Sequence, residues 1–224
     1  MENYSFEEKH SSDFKRIALE KLRNNWVNAI VVGIIFALLT NGLNLTVDSR
    51  HIIKDGISWI WSSDKDVRVN YGSMLLDLIL GGPMGLGIVT YFVNLFRTDN
   101  SKIEDVFSGF SSFKKTFVLN LLINIFTALW LLLLVVPGII AAIRYSMSFY
   151  IMHDNPELSA AEALDASKRM MDGEKMRFFR LCLSFLGWFI LGIISLGIGF
   201  IWVTPYYKAA VTAFYEDLKV KNQI

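Results

Sequence analysis

The chain offers little sulfur, imidazole or proline chemistry. A single cysteine, Cys182, among 224 residues excludes an intrachain disulfide and any Cys-x-x-Cys redox or zinc motif. Three histidines, His10, His51 and His153, are scattered along the chain, and no His-Glu-x-x-His, Gly-x-Ser-x-Gly or phosphate-cradling glycine loop occurs. These absences remove the common hydrolase, metalloprotease and nucleotidase signatures. The expectation is a protein that is not an enzyme, with neither cofactor nor metal site. Charge is also scarce: Asp, Glu, Lys and Arg make up 19% of the residues, against about 25% in a soluble domain.

Apolar residues fill the gap. They account for 53% of the chain, mean hydropathy is +0.40, and they gather into runs at 26–45, 74–96, 117–136, 138–152, 178–196 and 198–215. Several of these reach the ~20 residues a helix needs to cross a hydrocarbon core about 30 Å thick. The first run is too long for the apolar core of a signal peptide and lacks a small-residue cleavage pattern, so it is expected to remain as a span. The reading is an all-α, polytopic bundle of about six transmembrane helices in one integral membrane domain, 1–224.

Proline is rare, with four in the chain, and its positions carry information. The apolar stretch from Phe117 to Met152 would extend about 54 Å as one helix, far beyond the bilayer core. It must turn, and Pro137-Gly138 is the available break, because proline is tolerated in a first helical turn. A tight outer hairpin is therefore expected near 135–138. Leu196 to Gly199 turns the last pair, Pro205 kinks the sixth span, and Pro83 lies near the start of the second.

Three charged segments, 1–25, 97–116 and 153–177, read as cytoplasmic amphipathic helices, one before each hairpin. Ser101–Glu104 and Ser159–Glu162 both fit a capping box, and Gly173 is a stop for the second. Within His153–Ala163, Asn155-Pro156 makes a turn and Ser159 caps, a structural reading preferred over a ligand site for its clustered carboxylates. "AAIRYSMSFY" (141–150) and "KAAVTAFY" (208–215) both end in Phe-Tyr ahead of an acidic residue. Sixteen of the 22 Lys and Arg flank the spans on one side, whereas the 46–73 loop balances its four with four aspartates. The positive-inside rule then places both termini in the cytoplasm and 46–73 outside a cell membrane. Trp59 and Trp61 suit that loop to the outer interface. Basic helices beside spans point to anionic lipid rather than nucleic acid as partner. A membrane-protein partner or homo-oligomer fits equally.

From Leu129 to Leu218 the chain resembles the bacterial and archaeal integral membrane proteins grouped as "domain of unknown function 975". The matching features are Pro137 to Ile140, Tyr145-Ser146-Met147, Asp154 to Ser159, Phe185-Leu186-Gly187-Trp188, Pro205-Tyr206 and Phe214-Tyr215; "ALEKLRNNW" (18–26) also fits. The resemblance implies a prokaryotic membrane protein and supplies no catalytic residues. The 46–73 loop corresponds least.

Polar residues inside the runs are the candidate site. Asn120 and Asn124, with Thr127, form a stripe that lipid cannot satisfy. Arg144 is expected about seven residues, or ~10 Å, below the outer hairpin. There it pairs with Asp77 or snorkels to headgroups, with Lys208 competing for the aspartate. The functional expectation is a non-enzymatic scaffold, stress or immunity protein that binds lipid or a partner. The alternative is a small transporter or channel using these interior polar groups.

Overall fold

The structure is a computed structural model that describes residues 9–41, 71–98, 100–195 and 197–222, without the side chains of 40, 41 and 71–77. The expected outer loop, with His51, Trp59 and Trp61, falls outside this set except where a helix begins at Tyr71. Every regular element among the described residues is helical. In chain order they are α1 (Ser11–Leu22), α2 (Trp26–Asn41), α3 (Tyr71–Arg97), a 3₁₀ helix (Ile103–Ser112), α4 (Phe113–Leu133), α5 (Val135–Tyr145), α6 (Ser148–Asp154), α7 (Ala160–Met170), α8 (Lys175–Ser184), α9 (Leu186–Ile194) and α10 (Phe200–Lys221).

Four stretches are long and apolar enough to cross a membrane: Leu78–Arg97, Ile103–Leu133, Val135–Asp154 and Lys175–Ile194. α1 and α2 together would make a fifth, bent by 101°. The six-run pattern is thus met only in part. The last run, α10, is the reason on one side: it is buried from Val203 to Leu218 apart from a few half-buried positions, and it is built of alanine, aromatics and charged residues rather than aliphatics. Its neighbours are protein. Phe14 of α1 and Phe178 of α8 both pack on its Phe214, with ring centroids 5.3 and 5.2 Å apart.

The hairpin expected at Pro137 breaks one residue before the expected window. Leu134 is extended (φ −163°, ψ 146°) and separates α4 from α5, so Pro137 is the third residue of α5, where its missing N–H is harmless. The two helices close tightly, and a Cβ on Gly138 would stand 2.4 Å from Leu131 Cδ2. The hairpin tip is strongly apolar and uncovered, with Leu132 86% and Leu133 69% exposed. At the other turn Gly197 adopts φ +92°, a left-handed value that suits glycine. α10 runs on through Pro205, which is buried.

The second amphipathic segment departs from expectation. It is a 3₁₀ helix packed along α3 rather than an α-helix. Glycine makes this contact possible: a Cβ on Gly87 would lie 1.7 Å from the Val106 carbonyl oxygen, and one on Gly109 2.0 Å from that of Pro83. The cap is displaced by one residue as well. Asp105, not Glu104, accepts from the Lys102 backbone N–H at 3.0 Å, and the same oxygen accepts from Asn94 Nδ2 on α3 at 3.0 Å. The third segment follows expectation. Ser159 N–H donates to Glu162 Oε2 at 2.8 Å, Glu162 N–H donates to Ser159 Oγ at 3.3 Å, and Gly173 follows α7 at φ +80°.

Candidate functional site

Two ionic clusters tie the helix ends together, and neither was singled out from the sequence. In the first, Asp154 at the end of α6 has a side chain only 7% exposed. It accepts two hydrogen bonds from the Arg97 guanidinium, at 2.7 and 2.8 Å, one from Lys219 at 2.7 Å and one from the Tyr215 hydroxyl at 2.8 Å. His153 Nδ1 lies 3.1 Å from it, and Arg97 also donates to Glu216 at 2.9 Å. In the second cluster Arg177 of α8 donates to Glu174 and Asp217, while Lys9 and Lys221 engage Asp217 and Glu174 in turn. Each buried carboxylate therefore meets at least two cations, which is the condition for keeping it charged away from water.

The Phe-Tyr repetition held the signal for the first cluster. Tyr150 and Tyr215 meet with ring centroids 4.8 Å apart, and the Tyr150 and Thr212 hydroxyls are 3.1 Å apart. The acidic residues beyond each tyrosine, Asp154 and Glu216, then converge on Arg97. A pairing of the two segments across the bundle would have pointed to this cluster.

Two apolar stretches are jointed, and a side chain from an amphipathic helix enters each joint. At the α5–α6 joint, Ser167 of α7 donates to the Arg144 carbonyl at 2.7 Å and accepts from the Met147 N–H at 3.2 Å. At the α8–α9 joint, Lys15 of α1 donates to the Ser184 carbonyl at 2.6 Å, with its ammonium 4.7 Å from the centroid of the Phe185 ring.

The residues expected to form a polar interior do not gather at one place. Asn120 Nδ2 donates to the Leu78 carbonyl of α3 at 3.4 Å, which ties two helices together, whereas Asn124 is exposed. Lys208 is half-buried and its ammonium forms no ion pair or hydrogen bond with another described residue. The side chain of Asp77 lies outside the described set, and with it the Asp77–Arg144 pair. Arg144 itself lies farther from the break than expected: ten residues past Leu134 is about 15 Å of helix. Its surroundings are those of α7. Arg144 contributes to holding the Asp172 carboxyl below its ordinary range, after the larger effect of Lys175. Its Nε is buried with no hydrogen-bond partner among the described residues. The Pro83 backbone is a contact point for Gly109, and Gly138 is one for Leu131, as described above. No group of three or more His, Cys, Asp or Glu among the described residues is arranged to hold a metal ion.

Among the described residues, these features define an all-helical arrangement with four helices apolar enough to cross a membrane, tied at one end by buried ionic clusters. The chain belongs to the family described as "Protein of unknown function (DUF975)", whose model matches residues 1–137 and 129–222. No curated protein and no solved structure matches it.

Proposed function

We propose that this chain is a non-enzymatic polytopic protein of the cell membrane that binds anionic lipid on its cytoplasmic side, as a scaffold for lipid or for a partner membrane protein. In this reading α2 and α10 complete six spans, and both termini are cytoplasmic. The observation that carries it is the segregation of surface chemistry. Uncovered aliphatic residues occupy the α4–α5 tip, and uncovered apolar residues such as Met176, Leu183, Leu191 and Ile194 occupy α8 and α9. Exposed cations such as Arg16, Arg23 and Arg169 lie on α1 and α7 or at their ends. An apolar band beside basic amphipathic helices is the arrangement that a leaflet rich in anionic lipid selects.

Two measurements test the reading. With Cys182 replaced by Ser, a cysteine introduced at Asp64 should label from outside, and one at Lys221 only after permeabilisation. External labelling at 221 would sink the topology. For lipid binding, native mass spectrometry of protein purified in mild detergent should retain phosphatidylglycerol in preference to phosphatidylcholine. Equal retention argues against it. One observation favours the transporter alternative, namely Lys208, a half-buried cation with no partner among the described residues. Solute flux in proteoliposomes above that of protein-free vesicles would support that alternative.

A further inference from the structure

We propose that the cavity between the α4–α5 hairpin and α7 is a binding site for one anionic phospholipid, its phosphate held by Arg144 and Lys168 and an acyl chain laid along α4. This deepens the lipid-binding reading and rests on it.

The cavity is an open groove of about 500 Å³, lined by Arg144, Tyr145 and Lys168 together with Phe126, Leu129, Trp130 and Leu133 of α4. Its two ends differ in chemistry. At one end the Lys168 ammonium stands 5.9 Å from the centroid of the Phe126 ring and 5.7 Å from that of Tyr145, and these two rings are 6.3 Å apart. Arg144 lies at this same end, with its buried Nε–H unmet by any described residue. A guanidinium has five donors in a fixed fork that matches the oxygens of a phosphate, and Arg144 lines the cavity beside Lys168, so the pair offers a phosphate two cations at one end. From Phe126 the groove follows α4 for seven residues to Leu133, about 10 Å, and opens on the uncovered apolar hairpin tip.

Local charge agrees with an anionic occupant. Arg144, Lys168, Arg169 and Lys175 outnumber the carboxylates beside them, Asp165 and Asp172. Asp172 is taken up by Lys175 at 2.6 Å. Asp165 holds Lys168 at 2.6 Å but is itself largely exposed, so water weakens that pair and a phosphate can displace it. A free inorganic phosphate would use only the cationic end. An amphiphile uses both ends, and the aromatic residues at the junction, Trp130 and Tyr145, suit the boundary between headgroup and chain.

The test is native mass spectrometry of the full chain, titrated with phosphatidylglycerol or phosphatidylcholine, with inorganic phosphate as competitor. The wild type is expected to hold one phosphatidylglycerol at least about tenfold more tightly than phosphatidylcholine. R144Q/K168Q should lose that preference. L129W, which fills the groove and leaves both cations, should lose it too, and R144K should fall between. Elution as a single species in size exclusion checks that each variant is folded; if the double variant fails this, R144K and L129W decide. Preference intact in R144Q/K168Q or in L129W overturns the site and leaves general lipid binding standing. No preference in the wild type removes both. Millimolar phosphate that displaces the lipid while L129W binds normally would mean an ion site, and would overturn the lipid assignment.

Discussion

Replacing Asp154 by Asn removes one charge from the middle of the first ionic cluster while keeping nearly the same shape. The carboxylate is 7% exposed and satisfies Arg97 twice, Lys219 and the Tyr215 hydroxyl. Breaking a fully buried pair from one side costs about 3–5 kcal/mol, because the partner charge is left without compensation. Here the partners are not fully buried: the side chains of Arg97 and Lys219 are 31% and 30% exposed. Water reaches both, and Glu216 still holds Arg97. The discounted cost is about 2–3 kcal/mol. Glu216→Gln removes a contact nearer the surface and should cost about 0.5–1 kcal/mol. Both are measurable by titrating folded protein in mixed micelles with SDS and following helix content by circular dichroism. A double-mutant cycle of Asp154→Asn with Arg97→Gln isolates their coupling, expected at 1 kcal/mol or more in magnitude, on the order found for contacting charged groups. If Asp154→Asn lies within about 0.5 kcal/mol of the wild type, the cluster is ornamental and the reasoning fails.

Ser159→Ala should cost about 1 kcal/mol and speed amide exchange selectively over 160–170. The Ser159 hydroxyl and backbone N–H hold the Glu162 carboxyl below its ordinary value. That cap is therefore complete above the unfolded-state value of about 4.3 and fades as pH falls through the lower folded value. Protection of α7 should follow this course in the wild type and more shallowly in Ser159→Ala, which loses the hydroxyl but keeps the backbone N–H to Glu162. Gly87→Ala would place a Cβ 1.7 Å from the Val106 carbonyl oxygen. It should destabilise by about 2 kcal/mol or more and loosen the 3₁₀ helix, and a neutral result in SDS titration would refute the close approach. Ser167→Ala strips partners from the Arg144 carbonyl and the Met147 N–H. About 2 kcal/mol is expected, and a loss under 0.5 kcal/mol would mean that the joint finds other partners.

Local signals in the sequence were read correctly where the interaction was itself local. The Ser159–Glu162 box, the Gly173 stop and the hairpin near Pro137 each depend on residues within about four positions, and each stands within one residue of its expected place. The 3₁₀ helix is not legible in the sequence because helical periodicity cannot register backbone contact. Ile103, Val106, Phe107 and Phe110 suit an amphipathic α-helix, but Gly87 and Gly109 let α3 come so close that a tighter winding fits better. Spacing alone puts Asn124 inside, yet the bundle covers Asn120 and leaves Asn124 open. The ionic clusters were missed for another reason. In a tally of charges flanking spans Arg97, Lys219 and Lys221 are simply cations, and a tally cannot say that Asp154 on α6 and Glu174 just before α8 come against them.

The jointed helices change what the amphipathic helices are for. Hydrocarbon offers no donor or acceptor, so a helix interrupted at membrane depth must be completed by protein or by enclosed water. The α5–α6 joint is completed by Ser167 of α7, and the Ser184 carbonyl at the α8–α9 joint receives Lys15 of α1. Lifting either amphipathic helix from the bundle would leave these backbone groups bare. It would also uncover Phe14, Ala18 and Leu22 of α1, or Ala163, Leu164 and Met170 of α7, all buried. A helix fixed on both counts is part of the bundle rather than a detachable anchor. On the lipid-binding reading, Lys168 then serves the cavity beside α4, and general attraction to an anionic surface falls to the cations that point away from the core, Arg16 and Arg169 on the helices and Arg23 just beyond α1. Lys15 and Lys168, which sequence alone assigns to the same basic face, instead stand against Phe185, Phe126 and Tyr145. Neutralising the outward arginines should therefore weaken attraction to an anionic surface with little loss of stability, whereas neutralising Lys15 should loosen the bundle itself.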